Sequence, residues 1–275
     1  FVTFRDVEFV KPLYERLVVH PAEWMLAYRD HHGLPRQSWD LWEERRGVSL
    51  FTVGATIGAL NAAAAFATDF GEPDRAAAFR EGAERMKGAL GRHMWHPDRG
   101  RFARMAVPLP DGSYRLDMTA DSSSYALFAF GAFEPDDPRI VAQMTQDFER
   151  LWIKTPIGGC ARYERDYYHQ IERDKIDQVP GNPWVICTLW HAQWRIAAAR
   201  NLDELRKALP LLEWAATRAL PSGVLAEQFH PHTGEPMSVS PLTWSHATYC
   251  MVVVEYLRRY ESMSRQRSAG RIEMA

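Results

Sequence analysis

Residues 38–44 bring three carboxylates and two indole rings into seven consecutive positions, in the order SWDLWEE. Carboxylates repel one another and indole rings are costly to leave in water, so a stretch that concentrates both indicates a ligand site more than plain surface. Carboxylates accept hydrogen bonds from hydroxyl groups, and aromatic faces can stack on the C–H faces of a sugar ring. The residue types therefore favour a sugar as the ligand.

A second acidic position follows much later in the chain. Glu227 lies in the sequence LAEQ at residues 225–228, within the last long connection between predicted helices. Hydrolysis of a glycosidic bond needs one carboxylic acid to protonate the departing oxygen and a second carboxylate to activate water or to attack the sugar. We expect Glu43 and Glu227 to face each other across the mouth of a ring of helices. The alternative is a pair of solvated loop carboxylates, but the tryptophans beside the first group favour an enzyme.

The elements that must position these residues are helices of two kinds, recognised by their 3.6-residue periodicity. Segments with one apolar stripe, expected as outer helices, are residues 74–94, 136–152 and 202–220, the last with a kink at Pro210. Segments that are apolar or small almost all the way round, expected as inner helices surrounded by protein, are residues 48–70, 119–133, 183–200 and 242–260. Gly54, Gly58 and the alanine run at residues 62–65 should let helices approach closely.

The connections differ in length in a way that predicts the topology. Turns from an inner to an outer helix are short, whereas the connections that lead back are long, at residues 32–47, 97–118, 153–182 and 221–241. If successive helices run antiparallel, all four long loops lie at one end, and loops of this length are usually functional. The pattern predicts an all-α fold, an α/α toroid built from helical hairpins. Short extended pieces such as residues 114–116 are expected to form loop hairpins and not a sheet domain.

The composition narrows the choice of partners. A net charge of -2 and a pI near 6.6 supply no basic surface for nucleic acid. No apolar run is expected to reach the roughly 20 residues that span a bilayer, and no secretory leader pattern opens the chain. We therefore expect a cytoplasmic protein whose partner is a small-molecule or oligosaccharide substrate. The oligomeric state is left open.

Cysteine and histidine patterns predict neither a metal site nor a cofactor site. Cys160, Cys187 and Cys250 are odd in number and lack C-x-x-C spacing, so we interpret them as buried, inert thiols. His230 and His232 are the closest histidine pair within one loop, but two such positions rarely point both imidazoles at one ion without further ligands. Phosphate-binding and dinucleotide-binding glycine patterns are absent from the sequence.

Several segments together resemble glycoside hydrolase family 15, the glucoamylase and glucodextranase group. These segments are DLWEE at residues 40–44, ARYE at 161–164, GNPW at 181–184, AEQ at 226–228 and LTWSH at 242–246, with a TGEP turn at 233–236. They occur in the family's order at similar intervals, so the resemblance covers nearly the whole chain.

The resemblance implies an (α/α)6 barrel and an inverting, exo-acting mechanism that releases β-glucose from the non-reducing end of α-linked gluco-oligosaccharides. It implies that Glu43 is the general acid and Glu227 the general base. The positions it assigns to sugar binding are Leu41, Trp42, Glu44, Arg162, Trp184 and Trp244. Tyr163, in the same segment as Arg162, could widen the sugar site or could equally be ordinary loop packing.

The resemblance also leaves alternatives. Relatives with these motifs include trehalases, which split α,α-trehalose. A complete barrel has twelve helices and we count about eight, so the chain is expected to be an incomplete catalytic domain at residues 1–262, followed by a disordered tail at 263–275. The missing part carries an Arg-Asp pair in relatives, and its absence would favour a non-catalytic carbohydrate-binding module.

Overall fold

The computed structural model describes the backbone of residues 3–272 and the side chains of residues 3–266. The chain forms two compact units. Unit 1 runs to Met118 and includes Ala126–Glu134, and unit 2 contains Thr119–Tyr125 and the chain from Pro135 onward. Glu43 therefore belongs to unit 1 and Glu227 to unit 2.

Unit 1 is built from helices and short strands. Its helices are α1 (Val7–Leu13), a π-helical stretch (Tyr14–Val19), α2 (His20–Ala27), α3 (Leu50–Asp69), α4 (Pro73–His93), a 3-10 turn (Pro97–Arg99) and the short α5 (Ala126–Ala129). Its strands are β1 (Ser38–Trp39), β2 (Arg46–Ser49), β3 (Trp95–His96), β4 (Arg101–Phe102), β5 (Met105–Pro108) and β6 (Tyr114–Asp117).

The centre of unit 1 is the antiparallel pair α3 and α4. The apolar stripe predicted for α4 is confirmed, since Phe79, Ala83, Met86 and Leu90 are all buried. The predicted close approach at the glycines of α3 is also confirmed, because a Cβ atom at Gly58 would lie only 2.6 Å from the carbonyl oxygen of Phe130. The alanine run behaves differently, since its first and last members are exposed. Helix α3 is therefore covered along only part of its circumference.

Helix α3 also corrects an expectation about apolar runs. Leu50–Asp69 is long and apolar enough to cross a membrane by length and composition alone, with a mean hydropathy of 1.6. In the structure its buried face packs against α4 and α5. A core helix passes the same test of length and composition. Because the buried face of α3 packs on two neighbouring helices, we interpret α3 as a core helix of unit 1.

Strands β1, β2, β5 and β6 form one antiparallel sheet in that order. The loop hairpin expected around residues 114–116 is present, with Met105 opposite Asp117 and Pro108 opposite Tyr114. The sheet goes further than predicted, because Val48 pairs with Ala106 and joins this hairpin to the strand that leads into α3. The alternation of short apolar pieces was too brief to predict this pairing from the sequence.

Unit 2 is predominantly helical. It contains a 3-10 turn (Ser122–Tyr125), α6 (Pro138–Leu151), α7 (Val185–Ala198), α8 (Leu202–Arg206), α9 (Leu209–Ala216), strands β7 (Gln228–Phe229) and β8 (Pro236–Met237), and α10 (Thr243–Ile272). Helix α7 is buried almost all the way round, as expected for an inner helix, and its side chains pack with those of α8, α9 and α10 around Leu189, Leu205, Trp214 and Val252. The stripe of α6 is confirmed, with Ile140 buried against the core.

Two predicted helices differ in the structure. Residues 119–133 were expected to form one inner helix but give only the 3-10 turn and α5. Serine side chains compete there for hydrogen bonds, since Ser122 Oγ donates to the carbonyl oxygen of Ala161 and Ser124 Oγ to Asp147 Oδ2. Residues 202–220 break into α8 and α9 and do not merely kink, because Pro210 occupies the first turn of α9, where its missing N–H costs nothing.

The last helix contradicts the expectation of an inner helix surrounded by protein. Within the described residues α10 packs on α7, α8 and α9, but Met251, Val254 and Leu257 are 43%, 44% and 53% exposed. The sequence shows that most faces of α10 are apolar, but it does not show which neighbouring elements cover each face. The helix also continues to Ile272, where a disordered tail was expected, and residues 273–275 lie outside the described residues.

The cysteine prediction holds for two of the three residues. Cys160 and Cys187 are buried free thiols, and burial raises the pKa of both. Cys250 is exposed on α10, so the prediction of a buried thiol is wrong there. This follows from the uncovered face of α10.

Candidate active site

The turn that carries Glu43 joins β1 to β2 in unit 1. The N–H of Glu43 donates to the carbonyl oxygen of Asp40 at 3.1 Å, and the N–H of Asp40 donates to the carbonyl oxygen of Arg45 at 2.9 Å. Glu43 has a φ of 58°, in the left-handed region that a residue other than glycine enters at a cost. A left-handed residue at the end of a tight turn is a common way to close a short hairpin loop.

Asp40 holds this turn together through its side chain. Its Oδ1 accepts from the N–H groups of Glu44 at 2.9 Å and Arg45 at 3.3 Å. A carboxylate that satisfies two successive backbone donors fixes the backbone on both sides of its turn. The Glu43 carboxyl group is exposed, so the turn presents it outward from a restrained backbone.

The neighbours of Glu43 differ in how free they are to meet a ligand. Glu44 is largely buried and accepts from Arg45 Nη1 at 2.8 Å, so the arginine offsets the charge of this carboxylate. Leu41 and Trp42 are partly buried, whereas Trp39 is 60% exposed. The turn thus offers one exposed carboxyl group with partly exposed apolar side chains around it.

The backbone of Glu227 in unit 2 is fixed by the start of α10. Ser245 Oγ donates to the carbonyl oxygen of Ala226 at 2.8 Å, and His246 Nε2 accepts from the N–H of Leu225 at 3.0 Å. The acceptor role requires an unprotonated Nε2. The LTWSH segment therefore acts as a clamp on the two residues that precede Glu227.

The side chain of Glu227 is oriented by a chain of amides. Gln228 Nε2 donates to Glu227 Oε2 at 3.2 Å, and Gln228 Oε1 accepts from Asn182 Nδ2 at 2.8 Å. Asn182 Nδ2 also donates to the carbonyl oxygen of His169 at 2.8 Å. Gln228 and Asn182 are both buried, while Glu227 is partly exposed. One carboxylate oxygen of Glu227 is thus held by an amide, and the side chain stays reachable from solvent.

Arg162 forms a buried ion pair. Its Nε and Nη2 donate to the two carboxylate oxygens of Asp166 at 2.8 and 2.7 Å, with both side chains almost completely buried. The guanidinium carbon lies 4.9 to 5.1 Å from the ring centroids of Tyr163, Tyr168 and Trp184. Arg162, which the family resemblance assigned to sugar binding, thus donates to Asp166, and this ion pair holds the arginine among three aromatic rings.

The remaining assigned positions lie around this pair and at the start of α10. Tyr163 and Trp184 are buried, and the backbone of Trp184 bridges Cys160 on one side and Gln228 on the other. Trp244 is 39% exposed, with its ring 5.7 Å from that of Trp190. Trp244 therefore offers an accessible face, whereas Trp184 serves mainly as packing for Arg162.

Four positioning residues were missed by the sequence analysis: Asp40, Asp166, Asn182 and Gln228. The first two carry recognisable signals. Asp40 opens a turn, where aspartate commonly bonds the backbone that follows, and Asp166 stands four residues after an arginine. The amides gave no signal of their own, because their partners are remote in sequence.

The histidine pair considered for a metal has another role in the structure. His230 Nδ1 accepts from the N–H groups of His232 and Thr233 at 3.2 and 3.1 Å, which closes the turn at residues 230–233. Residues 3–266 contain no group of three or more His, Cys, Asp or Glu side chains arranged to hold a metal ion.

Residues 33–253 match the family model of the glycosyl hydrolases family 15. An uncharacterized glycosyl hydrolase of Methanocaldococcus jannaschii is 30% identical over 227 residues, which cover 79% of this chain and 34% of the relative. A glucoamylase of Clostridium sp. is 25% identical over 87% of this chain and 36% of its own length. The chain therefore spans about a third of the length of these curated relatives.

Solved structures show the same fold. A bacterial glucoamylase complexed with acarbose superposes with a TM-score of 0.73 at 22% identity, over 90% of this chain and 38% of its own. The glucoamylase of Hypocrea jecorina gives a TM-score of 0.64 at 20% identity, over 86% of this chain and 46% of its own. These similarities confirm the predicted all-α class of the (α/α)6-barrel type. Since the family model covers most of the sequence, including both glutamate segments, the chain belongs to glycosyl hydrolase family 15.

Proposed function

We propose that this chain supplies the acid and base of an inverting glycoside hydrolase, which releases β-glucose from the non-reducing end of α-linked gluco-oligosaccharides. Glu43 is the general acid and Glu227 the general base. The observation that carries the proposal is the way the backbone beside each glutamate is held: Glu43 on a turn fixed by Asp40, and Glu227 after a segment clamped by Ser245 and His246. A restrained backbone limits the displacement of the catalytic groups, and a small displacement lowers the rate strongly.

The proposed reaction is a single displacement. Protonated Glu43 gives its proton to the glycosidic oxygen while ionised Glu227 removes a proton from water, whose oxygen attacks the anomeric carbon from the opposite face. The products are β-glucose and a saccharide shortened by one unit with a new free hydroxyl group. Both carboxyl groups end in the opposite protonation state and exchange protons with solvent before the next cycle. Inverting hydrolysis of this kind needs carboxyl groups about 6.5–9.5 Å apart, to leave room for the water.

Sugar binding in this proposal uses side chains from both motif groups. Leu41, Trp42 and Trp244 offer partly exposed apolar surface, and Glu44 offers a carboxylate acceptor. Arg162 acts through its fixed position among Tyr163, Tyr168 and Trp184. The bacterial relative complexed with acarbose supports a saccharide as the ligand class.

The test compares the chain with its Glu43→Gln and Glu227→Gln variants on maltotriose, isomaltose and α,α-trehalose. Each variant should lower kcat by about 10²–10⁴-fold with little change in Tm, since removing an acid or a base costs that much. Glu235→Gln, an exposed glutamate in the turn before β8, is the matched control and should keep full activity.

Rapid NMR of the first glucose formed decides the stereochemistry, and an initial α-anomer contradicts inversion. Equal, undetectable hydrolysis in the chain and both variants, together with saccharide binding, would show a carbohydrate-binding module instead. Cleavage of trehalose alone would show a trehalase.

A further inference from the structure

A cavity of about 640 Å³ lies in unit 2, and none of its lining residues is among the candidate site residues. Its walls are α6, the C-terminal half of α7 and α8. Pockets that bind small molecules have volumes of about 300–1,000 Å³ and combine apolar surface with a few polar groups. The cavity meets both conditions.

Two of the side chains that line the cavity are aromatic, Phe148 and Trp194. Trp194 donates its indole N–H to the carbonyl oxygen of Pro135 at 3.0 Å, which fixes the plane of the ring. The guanidinium carbon of Arg195 lies 4.8 Å from the centroid of Phe148, and Arg195 Nη1 donates to the carbonyl oxygen of Lys207 at 3.2 Å. Contacts within the protein therefore already fix the positions of the two aromatic rings and the arginine.

The charges that line the cavity balance. The cationic side chains are Arg195, Arg200 and Lys207, and the acidic ones are Asp136, Glu149 and Glu204. Arg200 and Glu204 pair at 3.0 Å on the rim. An anionic ligand would need an excess of cations, and a cationic ligand an excess of acids. A balanced rim of donors and acceptors around aromatic rings suits a neutral ligand rich in hydroxyl groups.

The cavity is separate from the assigned residues of unit 2. Trp184 precedes α7 and Trp194 lies near its other end, so a rise of about 1.5 Å per residue places them about 15 Å apart along the axis. A saccharide could occupy the cavity without touching Arg162, Trp184 or Glu227.

We propose that this cavity is a second, non-catalytic binding site for a neutral saccharide. The apolar face of a sugar ring lies on Trp194, beside Phe148, whose ring contacts the guanidinium of Arg195. Arg195 donates to hydroxyl oxygens through its planar group, and Glu149 accepts from hydroxyl protons. The site is argued from the cavity alone, and only the choice of an α-linked glucose oligosaccharide as probe rests on the proposed function.

The experiment reads the site directly through the indole N–H of Trp194. The chain is labelled with 15N at tryptophan in the Glu227→Gln background, which keeps the probe intact, and the Trp194 signal is assigned with Trp194→Phe. Titration with maltotriose should shift this signal and saturate at about 1–10 mM. Arg195→Met should weaken the binding about tenfold, because a charged donor is lost.

Two further variants keep the test decisive. Arg206→Met, on α8 but outside the cavity, is the matched control and should bind as before. Thr145→Trp, an exposed position that lines the cavity, should block it and serves if Arg195→Met folds poorly.

An unshifted Trp194 signal, or equal binding in the Glu227→Gln chain with and without Arg195→Met or Thr145→Trp, would overturn the proposal. A tighter response to inorganic phosphate than to maltotriose would overturn the assignment of a neutral ligand. Failure of the proposed function would instead appear as absent hydrolysis by the unmutated chain, with the Trp194 titration unaffected.

Discussion

His191 should make unit 2 sensitive to acid. Its side chain is buried in α7, and neither ring nitrogen has a hydrogen-bond partner among the described residues. The ring packs edge to face against Phe148 at 5.1 Å. Burial, with a smaller contribution from the positive charge of Arg195, lowers the pKa of His191 from 6.5 to about 3.

The direction of the effect follows from proton binding. Between pH 6.5 and about 3 the unfolded chain binds a proton at this histidine and the folded chain does not. Above pH 6.5 this histidine therefore costs the folded chain no stability. Below pH 6.5 its titration lowers the free energy of unfolding by about 1.4 kcal/mol per pH unit. At pH 5 the loss is about 2 kcal/mol, which lowers Tm by about 4–8 °C for a chain of this size.

The assay compares urea unfolding of wild type and His191→Leu at pH 7.5 and pH 5. Leucine has a similar size and no titrating group, so the variant should lose about 2 kcal/mol less than wild type between the two pH values. At pH 7.5 the two should differ little, because lost packing is offset by removal of unpartnered polar atoms. His20→Leu, at an exposed position, is the control. An identical pH dependence in wild type and His191→Leu would refute the reasoning.

Three further predictions concern the residues that hold the candidate site. Asp166→Ala should lower the free energy of unfolding by about 3–5 kcal/mol, because it removes the carboxylate that pairs with the buried guanidinium of Arg162. Denaturant unfolding measures this, and a loss no larger than that of an exposed substitution would contradict it. Asp40→Ala should lower kcat at least about tenfold, because the turn that carries Glu43 is displaced. Asp40→Asn keeps the acceptor oxygen and should retain most activity. Equal rates in the two variants would argue against the turn as the cause. Ser245→Ala should lower the free energy of unfolding by about 1 kcal/mol, since the carbonyl of Ala226 loses its donor. Hydrogen exchange of the amides around Ala226 should become faster. Unchanged exchange would show that the clamp is unimportant.

Local periodicity predicted the helices whose partners are close in sequence. The stripes of α4 and α6 were read correctly, because a 3.6-residue repeat of apolar side chains can be buried only on one side of a helix. The glycines of α3 likewise predicted a close approach that the structure contains at Phe130. The motif segments pointed to Glu43 and Glu227, and the structure adds how each is held.

Competition between local and remote contacts explains the failures. Residues 119–133 are apolar enough for a helix, yet the serine side chains bond to Ala161 and Asp147, which stand far along the chain. The β2 to β5 pairing also joins segments that no short pattern connects. Such contacts depend on which segments meet in space, and the periodicity of apolar residues along the sequence does not predict this.

The sequence by itself determined the helical class, the alternation of short and long connections, and the chemical types gathered on the long loops, because these depend on near neighbours along the chain. Only the tertiary structure decided that Arg162 is committed to Asp166, that Glu43 has left-handed backbone geometry and that one apolar face of α10 is uncovered. The first two features are conformations of short segments that the residue types permit without specifying, and the third depends on which distant segments pack against α10. Packing and desolvation in the folded chain select among these possibilities.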